Sequence, residues 1–330
     1  MEIKEGSEIF LEKNELLSII IPCYNEEEAL PIFFQTVQKE CIKIKNINFE
    51  FIFVNDGSKD KTLTILRNLA EQHPNIVKYI SFSRNFGKEA ALYAGLKKAQ
   101  GDYTVVMDAD LQDPPELLPQ MIHLLRDIEN EIDCVGTRRV TRKGEPLIRS
   151  FFARQFYKLI NRISDTEIVD GARDFRMMTR QMVDAILSVT EYNRFSKGIF
   201  SWVGFKTHYL EYTNKERVAG ETSWSFWQLF KYSVDGIIAY SDKPLSIASY
   251  VGLSSFILSI FLSVLIIIRT IIFHDPTSGW PSLVCIILAI GGIQLFCLGI
   301  LGKYLGKMFL ETKKRPLYII KEDDSMNNKV

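Results

Sequence analysis

Short apolar runs alternate with amphipathic stretches through the first part of the chain. The runs from Leu17 to Pro22, Phe49 to Val54, Val77 to Phe82, Tyr103 to Met107 and Ile132 to Gly136 have the length expected of strands buried on both faces of a parallel sheet. Between them, Glu27 to Lys39, Lys61 to Gln72, Glu89 to Ala99 and Pro115 to Asp127 carry apolar residues at helical spacing; Asp60 is placed to cap the second and prolines open the fourth. This succession predicts βαβ units with right-handed crossovers, an α/β fold. Ligands of such sheets bind beyond the carboxyl ends of the strands. Here each strand runs into a polar loop: CYNEEEA, NDGSKD, SRNFGKE, DADLQDPPE and TRR. One such loop is an ordinary solvated turn, but several converging on one edge predict a site.

Farther along, the pattern changes. Uncharged runs from Leu245 to Ile268 and from Trp280 to Gly302 both exceed the ~20 apolar residues that cross a bilayer. Arg269 is the sole Lys or Arg between them, whereas Lys231 and Lys243 precede the pair and Lys303, Lys307, Lys313, Lys314 and Arg315 follow it. That asymmetry predicts a two-span hairpin in the cell (inner) membrane, with the large N-terminal region and both termini cytoplasmic. The polar, acidic start MEIKEGSEIFLEKNE does not read as a signal peptide. Gly291 and Gly292 predict close helix approach.

Two segments ahead of the spans are amphipathic. In RSFFARQFYKLINRIS, an apolar stripe of Phe152, Phe156, Leu159, Ile160 and Ile163 is flanked by Arg154, Lys158 and Arg162, the pattern of a helix lying in the membrane interface. WSFWQLFKYSVDGIIAY adds aromatic side chains suited to headgroup depth. Packing against the soluble core or another subunit is the other reading of both. The domain plan is a cytoplasmic domain over 1–222, including an interfacial helix at about 149–163, then a juxtamembrane helix at 223–244, the two spans within 245–310, and a tail at 311–330. The charged tail end, KEDDSMNNKV, predicts disorder.

Equal numbers of basic and acidic residues, 40 and 40, exclude a nucleic-acid binder that works through a general basic surface. The cysteines show no C-x-x-C spacing and the histidines are isolated, which excludes a disulfide framework and a zinc ribbon. The sharpest chemistry follows the fourth strand. On a continued extended backbone Asp108 and Asp110 project to one face, with Gln112 next along it. Hard divalent ions such as Mg2+ and Mn2+ take one or two carboxylates and complete their shells with water and substrate phosphates, so the pair suggests a metal-bridged diphosphate.

In order and spacing, the segments IPCYNEEEAL, FVNDGSKDKT, SRNFGKEAALYAGLKKAQGDYTVVMDADLQDPPELL, GARDFRMMTR and RVAGETSW, followed by two spans, resemble a known family. It is the polyisoprenyl-phosphate glycosyltransferases, within the inverting GT-A glycosyltransferases of family 2, which include dolichol-phosphate mannose synthases and bactoprenol glucosyltransferases. The resemblance implies a Rossmann-like, mostly parallel GT-A catalytic domain followed by interfacial amphipathic helices and two transmembrane helices. It implies that Pro22, Tyr24, Glu26 and Asp56 hold the donor nucleoside, with Lys88 near the nucleotide. Asn55 stands where many relatives have a second acid, which leaves Asp56 as the candidate for the base contact. Asp108, Asp110 and Gln112 are implied to surround a divalent metal, Mg2+ or Mn2+, and the donor diphosphate. Asp174 resembles the family's catalytic aspartate, in acceptor positioning or electrostatic stabilisation of the sugar, with proton abstraction as a lesser role; otherwise it is a helix-capping residue paired with Arg173 or Arg176. Arg138, Arg139 and Arg149 are candidates for the acceptor phosphate and Arg217 for the donor phosphates, Arg138 and Arg217 being favoured.

The implied reaction moves one sugar, UDP-glucose being the first donor expected, onto a polyprenyl phosphate such as undecaprenyl phosphate. The partners implied are the nucleotide sugar, the polyprenyl phosphate, the bilayer, further copies of this chain, a flippase and a downstream glycosyltransferase in the cell envelope, with no nucleic acid. A lipid monophosphate, with a second pKa of ~6, is already largely ionised near neutrality and needs no general base, unlike a hydroxyl. The rivals are a GT-A polysaccharide synthase acting on a hydroxyl acceptor, opposed by the lack of a Q-x-x-R-W segment, and a non-catalytic nucleotide-sugar-binding scaffold, opposed by the intact Asp108, Asp110 and Asp174.

Overall fold

The computed structural model describes residues 15–139, 161–162, 169, 171–212, 238, 241, 243–273 and 279–327. The predicted apolar runs are strands β1 (Glu15–Cys23), β2 (Ile47–Asn55), β3 (Val77–Phe82), β4 (Tyr103–Val106) and β5 (Cys134–Arg139). The segments between them form helices α1 (Ala29–Ile42), α2 (Thr62–Gln72), α3 (Lys88–Lys98) and α4 (Leu118–Arg126), the last entered through a 3-10 turn at Pro115–Leu117. Asp60 acts as expected at the start of α2, its carboxylate accepting the Thr62 amide at 3.1 Å. Elements not anticipated follow: β6 (Ala172–Thr179), α5 (Arg180–Ser188), α6 (Ser196–Trp202) and β7 (Thr207–Tyr212). Then come the long helices α7 (Lys243–Phe273) and α8 (Trp280–Thr312), strand β8 (Ile320–Asp323) and the short helix α9 (Asp324–Asn327).

Among the described residues the strands form one eight-stranded sheet in the order β7-β5-β6-β4-β1-β2-β3-β8. β3, β2, β1 and β4 are mutually parallel, while β6 runs antiparallel to both β4 and β5. Consequently β1 to β5 end at one edge of the sheet and β6 begins there. Val106 of β4 pairs with Arg176, and Arg138 of β5 pairs with Ala172, so Asp174 is delivered to the edge that carries the polar loops.

Burial on both faces explains the continuous apolar strands. Leu17, Ile19 and Ile21 of β1 join Phe51 and Phe53 of β2 in a core shared with Phe33, Val37 and Met121 of α1 and α4. Ile20, Ile52 and Val54 point the other way, into a second core with Ala91 and Leu92 of α3 and Met182, Val183 and Ile186 of α5. Each large aliphatic or aromatic side chain so buried contributes roughly 1.5–3 kcal/mol. A methyl group on Gly95 would sit 2.3 Å from Ile20 Cγ2, so α3 packs on β1 more closely than any larger residue permits.

The apolar windows Lys243–Ile266 and Ala289–Thr312 are long enough to cross a membrane and are 0% buried within the chain. Tyr250 and Leu295 are each 72% exposed, a face that water disfavours. The helices run side by side: the Tyr304 hydroxyl donates to the Ser241 carbonyl at 2.7 Å, and Cys297 Sγ lies 3.6 Å from the Ala248 carbonyl. Gly291 and Gly292 do not mediate that approach, because both face open space. The end of α8 is tied to the α/β domain, where the Glu311 carboxylate accepts the amides of Tyr192 at 2.9 Å and Asn193 at 3.1 Å. The amphipathic segments at 149–163 and 223–244 lie largely outside the described residues.

The expectation of a disordered tail is corrected. Ile320–Asp323 forms β8, antiparallel to β3. Glu322 accepts the guanidinium fork of Arg67 at 2.8 and 2.6 Å, the Lys98 ammonium lies 2.6 Å from Asp324, and Tyr318 stacks on Phe82 with ring centroids 4.8 Å apart. Charges that looked like solvated tail residues have specific cationic partners on α2 and α3, and the strand they carry covers the β3 edge. Glu322→Ala should therefore lower stability by about 1 kcal/mol, the scale of a partly exposed bidentate pair. A thermal melt of the detergent-solubilised protein checks this; an unchanged Tm would show that β8 holds without the pair.

Candidate active site

Each carboxyl-end loop is sewn to the next by a side chain that accepts or donates across the edge. In the loop after β1, Asn25 adopts a left-handed backbone with φ 57°, its amide donates to Ser58 Oγ at 2.9 Å, and its side-chain oxygen accepts the Lys59 amide at 2.9 Å. The Glu26 amide donates to Thr62 Oγ1 at 2.9 Å. Tyr24, which is 43% exposed, is left facing out beside them. Pro22, next to the last residue of β1, pairs in register with Val54.

After β2, Asp56 is 4% exposed, and its two carboxylate oxygens accept the amides of Phe86 at 2.6 Å and Gly87 at 2.9 Å. Burial pushes its carboxyl up, against the pull of those two amides and of Arg84. Gly57 has φ 66°, and a Cβ there would lie 2.3 Å from the Arg84 carbonyl carbon, so only glycine lets the β2 and β3 loops touch. Asn55, the departure from the acid of many relatives, is 1% exposed; its amide donates to Ser81 Oγ at 3.0 Å and its oxygen accepts the Ser58 amide at 3.1 Å. An amide satisfies both contacts at once, one as donor and one as acceptor.

Gly87, with φ 97°, leads into α3, whose first residue is Lys88. The Lys88 ammonium stands 2.7 Å from Asp108 Oδ1 and 2.6 Å from Asp174 Oδ2. It joins the β3 loop to the end of β4 and to the antiparallel β6. Those two carboxylates raise its pKa, overcoming the opposing effect of burial. For Asp174, burial alone would raise the carboxyl, but Lys88, then Lys197 and Arg176, hold it well below the usual carboxylate range. Asp174 lies on a strand and does not cap a helix; Arg173 pairs with Asp113, and Arg176 acts on Asp174 by its charge while its guanidinium stacks over the Phe200 ring at 3.9 Å.

The loop after β4 corrects the expected geometry. The strand ends at Val106, the Met107 amide makes its last contact with the Ile20 carbonyl at 3.0 Å, and the chain then turns. Asp110 Oδ1 accepts the Gln112 amide at 3.1 Å across Leu111, whose φ of 54° is strained for a branched residue. Asp108 and Asp110 are thus brought to the edge by a turn instead of by strand alternation. Asp110 is 8% exposed and Asp108 faces Lys88. Among the described residues no group of three or more His, Cys, Asp or Glu side chains could hold a metal ion. Hard carboxylate oxygens in so small a number fit Mg2+ or Mn2+, which draw their remaining ligands from water and phosphate, and do not fit an ion that needs a full protein cage.

At the other end of the edge, strand alternation separates the two arginines of β5. Arg139 donates to Gln112 Oε1 at 3.3 Å, whereas Arg138 reaches Glu211 at 4.0 Å. Arg149 and Arg217 lie outside the described residues. Two residues not singled out from the pattern, Asp113 and Tyr212, complete this end. Asp113, 1% exposed, accepts Arg173 Nε at 3.1 Å and the Tyr212 hydroxyl at 2.6 Å, while its Oδ2 has no partner. Burial raises the Asp113 carboxyl despite Arg173, the reverse of Asp174, because one cation does not offset desolvation where several do. The alternation in THYLEY could have disclosed the strand that carries Tyr212. Glu89 of α3, also missed, accepts the Ser196 amide at 3.0 and 3.1 Å and places Lys197 beside Asp174.

Residues 18–187, a span containing the loops that follow β1 to β5, match Glycosyl transferase family 2. The chain is 44% identical over 305 residues to the prophage bactoprenol glucosyl transferase homolog of Escherichia coli (strain K12), covering 92% of this chain and 98% of that protein. It is 43% identical over 305 residues to the bactoprenol glucosyl transferase of Shigella phage SfX, with 92% and 98% covered. Among solved structures, the mannosyltransferase PcManGT from Pyrobaculum calidifontis, in complex with GDP-Man and Mn2+, is 18% identical over 88% of this chain and 86% of its own, with a TM-score of 0.44.

Asp113→Ala removes the carboxylate that accepts the Arg173 guanidinium at 3.1 Å and should destabilise the protein by about 3 kcal/mol. Denaturant unfolding of the solubilised protein checks this, and a loss below about 1 kcal/mol would show that Arg173 does not depend on that carboxylate.

Proposed function

The chain belongs to glycosyl transferase family 2, and on that premise we propose that it transfers one glucose from UDP-glucose to undecaprenyl phosphate at the cytoplasmic face of the cell membrane. The observation that carries the choice of acceptor is the state of Asp174. A carboxylate ion-paired with Lys88 at 2.6 Å, and lowered further by Lys197 and Arg176, is a poor base for an alcohol. An acceptor that arrives already ionised needs no such service. A lipid monophosphate is one, and the curated relatives carry bactoprenol in their names.

In this reading the phosphate oxygen of the lipid attacks the anomeric carbon from the face opposite the nucleotide. The C–O bond to the diphosphate breaks as the new C–O bond forms, so the configuration inverts and UDP leaves with the bonding pair. Asp174, anionic throughout, faces the positive charge that grows on the sugar. Lys88 and Arg139 offer cations to the phosphates, Arg139 being better placed than Arg138 because it already reaches Gln112. Arg149 and Arg217 retain their assigned roles as further phosphate partners. Pro22, Tyr24, Glu26 and Asp56 border the nucleoside; Asp56 acts there by fixing the Phe86–Gly87 backbone. Asp108 and Asp110, with Gln112 beside them, would hold a Mg2+ or Mn2+ ion, which supplies Lewis-acid stabilisation of the departing diphosphate.

The hairpin of α7 and α8 accounts for access to a lipid substrate. Its basic flanks support a reading with the catalytic domain and both termini cytoplasmic, and Glu311 docks the end of α8 beside α6. The product is a lipid-linked glucose, which a flippase and a second glycosyltransferase would carry onward to the cell envelope.

Purified protein incubated with Mn2+, labelled nucleotide sugars and undecaprenyl phosphate should move glucose, released by mild acid, into organic solvent. Label recovered only in a polysaccharide would overturn the acceptor. Asp110→Asn should slow that transfer roughly 100-fold or more while the protein stays folded; near-normal turnover would remove its metal role. The rate should rise with pH through ~6, as the acceptor phosphate loses its second proton, because Asp174 is already ionised well below that range. An acidic limb that moves in Asp174→Glu would show that Asp174 titrates instead.

A further inference from the structure

We propose that Lys88 is a resident counter-ion: its ammonium bridges Asp108 and Asp174 before the donor arrives and gives up Asp108 when a nucleotide diphosphate enters with its divalent cation. This rests on the transfer reading above, and it adds a role for Lys88 that couples metal and nucleotide binding. The two carboxylates come from different strands and converge on one ammonium at 2.7 and 2.6 Å. Without a cation between them they would repel each other. An ammonium has donors for both and matches them without any ligand.

A divalent ion that binds through Asp108 has to displace that ammonium. Arriving alone it would gain little in return, because among the described residues no third acidic, His or Cys side chain completes a metal cluster. Arriving with a diphosphate, it brings its own oxygen ligands, and the displaced ammonium gains phosphate oxygens as new partners. The exchange needs only side-chain motion. Lys88 is the first residue of α3, its backbone is held next to Gly87, whose amide Asp56 accepts at 2.9 Å, and its four-carbon stem is free to swing. Asp174 is not left uncompensated when the bridge opens, since Lys197 and Arg176 act on it as well. Because coupling between two ligands is reciprocal, the nucleotide should strengthen metal binding by the factor with which the metal strengthens nucleotide binding.

The test is Mn2+ binding to the full-length solubilised protein, read from the electron paramagnetic resonance signal of free Mn2+, with and without UDP. Wild type should bind Mn2+ weakly alone and tightly with UDP. Lys88→Met should bind Mn2+ alone at least ~10-fold more tightly and lose a matching part of the UDP-dependent gain. Lys88→Arg, which keeps the positive charge, should behave as wild type, and adding Asp108→Asn to Lys88→Met should abolish the tightening. Lys88→Gln replaces Lys88→Met should the latter fail to fold. If neither neutral variant binds Mn2+ more tightly than wild type, or if the tightening survives Asp108→Asn, the counter-ion role is wrong. Glycolipid formation by wild type separates the two ideas: glycolipid without tightening refutes the counter-ion alone, and tightening without glycolipid refutes the transfer reading alone.

Discussion

The catalytic edge depends on one ammonium held by two carboxylates. Lys88 closes the gap between the parallel strands that end at the site and the antiparallel strand that begins there, so that Asp108 and Asp174 share a cation although they lie 66 positions apart in the chain. Around that contact the loops form a continuous belt. Asn25 holds the β2 loop, Asp56 holds the β3 loop, Lys88 holds β4 and β6, and Gln112 and Asp113 hold β5, β6 and β7. Left-handed residues at Asn25, Gly57, Gly87 and Leu111 let four successive loops turn back over the sheet. Strain at such positions persists only where neighbours over-determine it, and these loops do so mutually.

Two aspartates on this edge, Asp113 buried and Asp174 half-buried, are driven in opposite directions, and the difference assigns their work. Asp174, among several cations, stays ionised and serves as fixed negative charge. Asp113, with one guanidinium and a tyrosine, is dominated by desolvation and serves as a structural anchor for Arg173, the residue before Asp174. The chemistry that this division allows is narrow. A fixed anion and mobile cations suit the movement of a glycosyl group between two phosphates, where charge must be accommodated and no proton need be removed.

Much of this was legible from the pattern of residues. Strands buried on both faces announce themselves as unbroken apolar runs, and β1 to β5 and α1 to α4 lie within a few residues of where the runs place them. The polar loops after them pointed to the correct edge. β6 and β7 escaped notice because ARDFRMMT mixes charges into a buried strand, its Arg176 being 3% exposed, and because THYLEY is short. The turn at Asp110 was unreadable for a different reason: strand alternation assumes an extended backbone, and a side chain that accepts the amide two residues on can break it. Lys88 was placed near the nucleotide by resemblance alone, since its bridge to Asp174 joins elements whose adjacency depends on the missed strand. The acidic tail misled because composition cannot show that Arg67 and Lys98 wait on the sheet edge.

The end of α8 and the chain after it are joined to the α/β domain twice, by Glu311 on the Tyr192 amide and by β8 beside β3. In the proposed reading a lipid phosphate meets a site whose Asp174 carboxylate, paired with Lys88 at 2.6 Å, is a poor base. The most direct measurement is transfer to undecaprenyl phosphate set against transfer to undecaprenol, which has the same chain but ends in a hydroxyl. Rapid glucosylation of the phosphate with none of the alcohol is the predicted result; comparable rates for the two would contradict the account, because an un-ionised acceptor would then have found a base that these residues do not provide.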